Sequence, residues 1–295
     1  MFKANEGSTR NLMQMCVAYF LCYVITGLTV KYFLGNPALG LPGMKGLQFL
    51  AYSTLGASPF VTLYVLIRRW YKIESAHRIN FLGMKLPIEL LYIIPSGICT
   101  GIVIPTTTLM YTLPISVMVA MVIMRGSVIV ISRLVDYIQI KQGILHKKVY
   151  KEENLGVLFA VAAIGIHVVW AGSGSFDFLG STAAMSILGA YVGSYAIRIY
   201  IMNYYKNTAG HGVKRDNKAF FAIEQFAAFF TMVIAVIVVF NSPTLFGWNF
   251  DQVNVFREAI INPLPNWHWA SLAGTAFGLA AFFSVFIFMF KGRTA

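Results

Sequence analysis

Long apolar segments alternate with short polar segments along the whole chain. Eight of the apolar segments reach the length of roughly 20 residues that a helix needs to cross about 30 Å of hydrocarbon. They comprise residues 11–33, 47–67, 87–109, 114–134, 155–172, 181–203, 219–240 and 269–290. The pattern predicts an all-α protein, a polytopic transmembrane helical bundle of about eight spans that forms a single transmembrane domain over residues 1–295.

The third and fourth spans are separated by only a short interruption. One helix across 87–134 would be far too long for a bilayer, and Pro105 and Pro114 bracket three threonines at 106–108. We therefore predict a Thr-rich turn here, with residues 110–113 between the two helices.

The composition excludes a soluble domain. Hydrophobic residues make up 58% of the chain and charged residues only 12%, whereas about a quarter of a soluble domain is charged. Cys16, Cys22 and Cys99 all lie in apolar segments and lack the spacing of a metal site or a disulfide framework. We expect no metal and no cofactor.

The net charge of +12 would suggest a nucleic-acid partner in a soluble protein, but the positions of the charges argue against one. Basic residues cluster before the first span and after the second, fourth, sixth and eighth, and the opposite loops hold little beyond Lys45 and Arg257. The clusters comprise Lys3, Arg10, Arg68, Arg69, Lys72, Arg78, Lys85, Lys141, Lys147, Lys148, Lys151, Lys206, Lys214, Arg215, Lys218, Lys291 and Arg293. By the positive-inside rule we predict a multi-pass protein of the cell inner (cytoplasmic) membrane with both termini cytoplasmic. We therefore expect the protein to interact with the lipid bilayer and with no nucleic acid.

The longest loop on the opposite side covers residues 241–268. Val253, Phe256 and Ile260 follow one another there at helical spacing. This spacing fits a short helix on the outer surface, and a plain structured loop fits equally well.

Arg125 is the candidate site residue that lies deepest in a span. It is about 11 residues, or roughly 16 Å, into the fourth span. An ionisable group at that depth is costly and marks a functional site by default. We expect it to bind an anionic or zwitterionic group of a substrate. The alternative is a cation that caps carbonyl groups of a neighbouring helix.

The sixth span offers further substrate-binding candidates. Tyr191, Tyr195 and Arg198 recur at positions i, i+4 and i+7 and so share one helix face. Glu224 lies at a similar depth in the seventh span, which predicts an ion pair with Arg198 that serves either packing or gating.

Other polar residues within the spans carry weaker predictions. Lys31 is either an anchor that reaches the interface or part of a gate, and His167 is either a hydrogen-bonded bundle residue or a proton relay. Arg133 and Asp136, three apart on one helix, predict an interfacial ion pair.

Glycine pairs four residues apart predict close helix packing in three spans. They are Gly97 and Gly101, Gly189 and Gly193, and Gly274 and Gly278. We expect the third, sixth and eighth spans to lie inside the bundle.

The stretch TTTLMYTLPISVMVAMVIMRGSVIV at 106–130 resembles the drug/metabolite transporter superfamily, which includes EamA-like exporters and nucleotide-sugar-transporter-like proteins. Its members have a short turn between helices three and four, and some carry an Arg-Gly pair within helix four, as Arg125 and Gly126 do here. The resemblance is good over about residues 10–175 and mainly topological over 181–290.

The resemblance implies ten helices in two inverted repeats of five, with the substrate cavity between them. Residues 11–172 then form the first repeat, and residues 181–290 form an incomplete second repeat that lacks the last two helices. Either the chain is a natural eight-helix variant or it is truncated. A homodimer or a partner subunit is expected to supply the missing helices.

The expected function is secondary-active transport, as an exporter or exchanger, of a small polar metabolite by alternating access, and not enzymatic activity. One alternative is a non-transporting membrane subunit or chaperone of a larger complex. Another is a membrane-embedded lipid-modifying enzyme, for which the chain offers only Glu89, Asp136 and Glu224 without a catalytic motif.

Overall fold

A computed structural model describes residues 8–73, 75, 78–81, 83–146, 149–172, 177–208 and 216–290. The described helices are α1 (Thr9–Phe33), α2 (Gly46–Ile67), α3 (Leu90–Thr112), α4 (Val117–Lys141), α5 (Lys151–Gly172), α6 (Thr182–Asn207), α7 (Asn217–Phe246), α8 (Asp251–Ile261) and α9 (Trp267–Phe288). A short 3-10 helix occupies Pro37–Leu39. The basic residues Lys3, Lys147, Lys148, Lys214, Arg215, Lys291 and Arg293 lie outside the described part of the chain.

Seven of these helices are long and apolar enough to cross a membrane, namely α1, α2, α3, α4, α6, α7 and α9. The chain is therefore a helical membrane protein, as its composition predicts. Helix α5 has 22 residues, but the side chains of its last five lie outside those that the structure describes. The eighth span stays a prediction.

One pair of short strands interrupts the helical pattern. Strands β1 (Arg78–Phe81) and β2 (Met84–Pro87) pair antiparallel between α2 and α3, with Arg78 opposite Pro87. The hairpin was not predicted, although Ile79, Phe81, Met84 and Leu86 alternate with polar residues on either side of Gly83.

The predicted Thr-rich turn is wrong, although the split between the third and fourth spans is correct. Pro105 and the three threonines lie inside α3, where the hydroxyls of Thr106 and Thr107 donate to the carbonyls of Ile102 and Val103 at 2.8 Å. Hydroxyls satisfied in this way are compatible with a helix interior. The actual turn begins after Thr112.

The turn ends at the N-cap of α4. The hydroxyl of Ser116 accepts a hydrogen bond from the backbone N–H of Val119 at 3.2 Å, and Pro114 lies between the helices. A serine that satisfies a free N–H in the first turn is a standard start signal for a helix.

Helices α3 and α9 organise the packing. Helix α3 packs on α6 and α7, and α9 packs on α1 and α2. A Cβ atom at Gly97 of α3 would lie 2.6 Å from the Glu224 carbonyl oxygen of α7. A Cβ atom at Gly278 of α9 would lie 2.7 Å from the Ala57 carbonyl oxygen of α2. Both contacts therefore depend on glycine.

The third glycine pair behaves differently. A Cβ atom added at Gly189 or Gly193 of α6 would meet no heavy atom within 4 Å among the described residues. The prediction of close packing at this pair is therefore wrong, because spacing on a helix does not reveal which face meets a neighbour.

Of the two interpretations left open for the long loop, the structure contains the helix, α8. Val253, Phe256 and Ala259 are buried, and α8 packs on α2. The hydroxyl of Tyr52 on α2 donates to the Ala259 carbonyl at 2.9 Å and accepts from the Leu264 N–H at 3.1 Å. These bonds tie α8 and the segment after it to the bundle.

Candidate functional site

Arg125 projects from the middle of α4 into a cluster of tyrosines on neighbouring helices. Its Cζ atom lies 3.7 Å from the ring centroid of Tyr23 and 5.5 Å from that of Tyr19, both on α1. Its Nη1 donates to the hydroxyl of Tyr19 at 2.8 Å and to that of Tyr195 on α6 at 3.4 Å. One guanidinium thus joins α1, α4 and α6.

The opposite edge of this guanidinium has no partner. Both Nε and Nη2 of Arg125 are buried without a hydrogen bond among the described residues. The hydroxyl of Tyr191 is also buried and unbonded, and its ring lies 4.8 Å from that of Tyr195. Tyr111 faces the same guanidinium, and its hydroxyl makes no hydrogen bond of ordinary geometry. Two donor nitrogens of Arg125 and two phenol hydroxyls of the cluster are therefore buried without a hydrogen bond.

The charge of Arg125 is unbalanced. In the part of the chain that the structure describes, no carboxylate lies within ion-pair distance of it. An arginine keeps its proton inside proteins. Stacking on Tyr23 and two hydrogen bonds offset part of the cost of burial, but they supply no negative charge. The cluster of Arg125, Tyr19, Tyr23, Tyr111, Tyr191 and Tyr195 is named the arginine–tyrosine cluster here.

The ion pair predicted between Arg198 and Glu224 is present and fully enclosed. Arg198 Nε donates to Oε1 of Glu224 at 2.8 Å, and Nη2 donates to Oε2 at 3.1 Å. The hydroxyls of Ser96 and Thr100 donate to Oε1 at 2.7 and 3.1 Å. The side chains of the pair are 2% and 0% exposed, so the charges are matched away from water.

The predicted substrate-binding residues therefore separate into two groups. Arg125, Tyr191 and Tyr195 come together around an open guanidinium edge. Arg198 lies on the same helix face as the two tyrosines, but Glu224 occupies its bidentate edge. Arg198, Glu224, Ser96 and Thr100 therefore form a structural brace, a hydrogen-bonded group that holds α3, α6 and α7 together.

Neither Lys31 nor His167 bonds to the ion pair that the sequence suggested as a gate. The Nζ atom of Lys31 donates to the carbonyls of Leu113 and Ile115 at 3.3 and 3.0 Å, across the turn between α3 and α4. His167 on α5 makes no hydrogen bond or ion pair with any described residue.

The predicted pair of Arg133 and Asp136 does not form. Arg133 Nε donates to Asn154 of α5 at 3.1 Å, and its Nη1 lies 3.9 Å from a Glu153 oxygen. Asp136 is buried and accepts from Asn203 of α6 at 3.2 Å. The two side chains diverge because α4 packs against both α5 and α6.

The sequence did not lead us to predict Tyr19, Tyr23 or Tyr111 as members of the arginine–tyrosine cluster. Tyr19 and Tyr23 repeat the i, i+4 spacing of Tyr191 and Tyr195, and that signal could have indicated them. Tyr111 carries no comparable pattern and is placed beside Arg125 only by packing.

The described cavities elsewhere carry less chemistry. An apolar groove of about 450 Å³ lies between α2, α3, α7 and α8, and no titratable side chain lines it. The described residues contain no group of three His, Cys, Asp or Glu side chains that could hold a metal ion.

The fold and the cluster define a polytopic helical membrane protein with an uncompensated arginine among tyrosines. No family model, no curated protein and no solved structure matches the chain.

Proposed function

We propose that the chain is a secondary-active transporter, an exporter or exchanger, of a small polar metabolite that moves by alternating access. The unsatisfied edge of Arg125 is the observation that supports this proposal most directly. A guanidinium retained only for packing would be expected to have its donors satisfied, because each unmade hydrogen bond in a buried site is costly. A substrate that visits the site would supply the missing acceptors.

The helix contacts favour an inverted-repeat architecture as part of this proposal. Helix α3 meets α7 through Gly97 and Gly101, and α9 meets α2 through Gly274 and Gly278. Helix α3 also packs on α6, and α9 packs on α1. If α1, α2 and α3 correspond to α6, α7 and α9 in that order, the contact of α3 with α7 corresponds to that of α9 with α2. The contact of α3 with α6 then corresponds to that of α9 with α1. With five helices in the first unit, the second unit would run in the opposite direction across the membrane.

The arginine–tyrosine cluster would lie between the two proposed units. Arg125, Tyr19 and Tyr23 belong to the first unit, and Tyr191 and Tyr195 belong to the second. Transporters with inverted repeats bind substrate near the midplane at the boundary of the repeats, where rocking of one unit exposes the site to either side. Membership of the drug/metabolite transporter superfamily fits this arrangement and is part of the proposal.

The orientation and the assembly also belong to this proposal. The basic loops support an inner-membrane protein with both termini cytoplasmic. A second copy of the chain or a partner subunit is part of the proposed assembly.

Uptake into proteoliposomes tests the proposal. The purified chain is reconstituted and screened with radiolabelled amino acids, organic acids, sugars and nucleosides, under an imposed proton gradient and in exchange mode. We expect uptake of one class by the unaltered protein and its loss in Arg125→Gln. Arg133→Gln is the matched control, since it removes a cation from the same helix outside the cluster.

Two results would contradict the proposal. One is uptake equal to that of empty liposomes for every class, with a protein that is folded by circular dichroism. The other is undiminished uptake by folded Arg125→Gln, which would assign transport to another site.

A further inference from the structure

Two arginines of this bundle present the same edge of the guanidinium in different states. Arg198 uses Nε and Nη2 to hold both oxygens of the Glu224 carboxylate, at 2.8 and 3.1 Å. Arg125 has the same two nitrogens buried and unbonded. The parallel pair of N–H groups on this edge matches a carboxylate in a bidentate fashion. The chain thus contains a filled example of the interaction that Arg125 lacks.

We infer that the open edge of Arg125 binds the carboxylate of a small organic monoanion. The two carboxylate oxygens would take the place on Arg125 that Oε1 and Oε2 of Glu224 take on Arg198. The buried hydroxyl of Tyr191 supplies a further donor beside them. That this carboxylate is the transported substrate rests on the proposed function. That Arg125 binds a carboxylate is inferred from the geometry alone.

The charge balance of the cluster selects a monoanion. One carboxylate neutralises one guanidinium, whereas the second charge of a phosphate monoester would find no free cation among the neighbouring groups described, because Arg198, 5.8 Å from the Tyr195 ring centroid, is already paired with Glu224. An amino acid would bring an ammonium group, and no described carboxylate is free near Arg125 to receive it. Unmatched charges are strongly disfavoured in a buried site.

The surroundings of the open edge favour a compact, planar or apolar body behind the carboxylate. The side chains of Tyr23 and Tyr191 are buried, and Met121 packs against the apolar residues that surround Tyr23, among them Met232. Aromatic walls stack on flat rings, and methionine adapts its shape to apolar groups. Benzoate combines one carboxylate with one ring and is therefore the probe we choose.

The described conformation encloses the site. Nε and Nη2 of Arg125 are shielded from solvent, so a carboxylate reaches them only when neighbouring side chains move aside. Binding should then order the cluster and raise the melting temperature, since a ligand that binds only the folded state stabilises it.

Ligand binding to the full chain in nanodiscs tests the inference. Calorimetry and thermal melting are recorded with benzoate, benzamide, phenyl phosphate and phenylalanine in chloride-free methanesulfonate buffer. We expect benzoate to bind and the other three to bind at least about tenfold more weakly, because each lacks the single matched charge. Equal binding of benzamide would overturn the inference, and so would a preference for phenyl phosphate or phenylalanine. This comparison uses the unaltered protein and does not depend on the folding of a variant.

Three variants then locate the site. Arg125→Gln should weaken benzoate about ten- to a hundredfold, and Arg125→Lys should weaken it by at least about tenfold because an ammonium lacks the bidentate edge. Tyr191→Phe removes one donor and should weaken it severalfold. The control Arg133→Gln should leave the Kd unchanged. Undiminished binding in a folded Arg125→Gln protein would overturn the inference.

The outcomes separate this inference from the proposed function. Benzoate binding that depends on Arg125, without uptake of any compound in proteoliposomes, supports the site and contradicts transport. Uptake of a neutral or cationic metabolite by a protein that does not bind benzoate supports transport and overturns the carboxylate site.

Discussion

The two arginines inside this bundle differ in whether their charge is matched, and this difference sets what each can do. Arg198 shares a fully buried carboxylate with two hydroxyls and has its bidentate edge filled. Arg125 rests on tyrosine rings with two donors free. Removing one partner of a matched ion pair leaves the other charge buried without a counterion. Removing an unmatched cation leaves only neutral polar groups without a partner. Breaking the Arg198–Glu224 pair should therefore cost much more stability than neutralising Arg125.

Neutralising Glu224 tests the brace. Glu224→Gln should lower the free energy of unfolding by about 3–5 kcal/mol, because it leaves Arg198 charged and buried without a counterion. Thermal or denaturant unfolding in detergent measures the change. The control is Glu258→Gln on α8, which replaces an exposed carboxylate.

The same measurement on Arg125→Gln provides the contrast. We expect at most a small loss of stability, since an uncompensated buried charge disappears. A loss at Arg125 as large as that at Glu224 would indicate that Arg125 is a structural cation. An unchanged melting temperature in Glu224→Gln would contradict the brace.

At the scale of elements, glycine determines which helices touch. Gly97 and Gly101 allow α3 to approach α7, and Gly274 and Gly278 allow α9 to approach α2. The neighbouring atoms at all four positions include a backbone carbonyl oxygen, which cannot rotate away as a side chain can. The two contacts together position α3 and α9 beside the helices that carry the arginine–tyrosine cluster.

Alanine at these glycines should destabilise both helix pairs. Gly97→Ala and Gly274→Ala should each cost about 1–3 kcal/mol, because the added methyl group forces the helix backbones apart. Gly189→Ala is the matched control, since its Cβ would enter open space and alanine is the better helix former. Thermal unfolding measures all three, and a neutral result at Gly274 would contradict the described contact of α2 and α9.

At the scale of the whole molecule, the charges of the loops and the packing of the helices determine different properties. The alternation of basic loops predicts the direction of each span relative to the membrane. The helix contacts determine which spans are neighbours, and they bring residues of α1, α4 and α6 to one guanidinium. With Tyr111 on α3, the arginine–tyrosine cluster spans four helices, and it responds to any relative movement of those helices.

Labelling of single cysteines tests the orientation. In a background without Cys16, Cys22 and Cys99, the exposed positions His146 and Asn262 are replaced one at a time by cysteine. We expect a membrane-impermeant maleimide to reach His146→Cys from the cytoplasmic face and Asn262→Cys from the opposite face. Labelling of both from one face would contradict the eight-span topology.

The sequence alone determined the class of the molecule and most of its elements. Apolar segments long enough to span a bilayer can form only helices with satisfied backbones, and the predicted spans coincide with described helices to within a few residues at most ends. The pairing of Arg198 with Glu224 also followed from the sequence, because it depends on distance along two neighbouring helices. The Thr-rich turn failed because threonine hydroxyls bond equally well within a helix as at a turn.

Only the tertiary structure decided which side chains meet across helices. Periodicity places Tyr191 and Tyr195 on one face, but the rotation and neighbours of α6 determine whether that face meets Arg125, Glu224 or lipid. The same holds for Tyr19, Tyr23 and Tyr111, which surround Arg125 from α1 and α3. Helix packing in a membrane depends on close surface fit rather than on an apolar stripe, because lipid is as apolar as the helices themselves. The open edge of Arg125 is therefore a property of the packed bundle and of no single segment of the sequence.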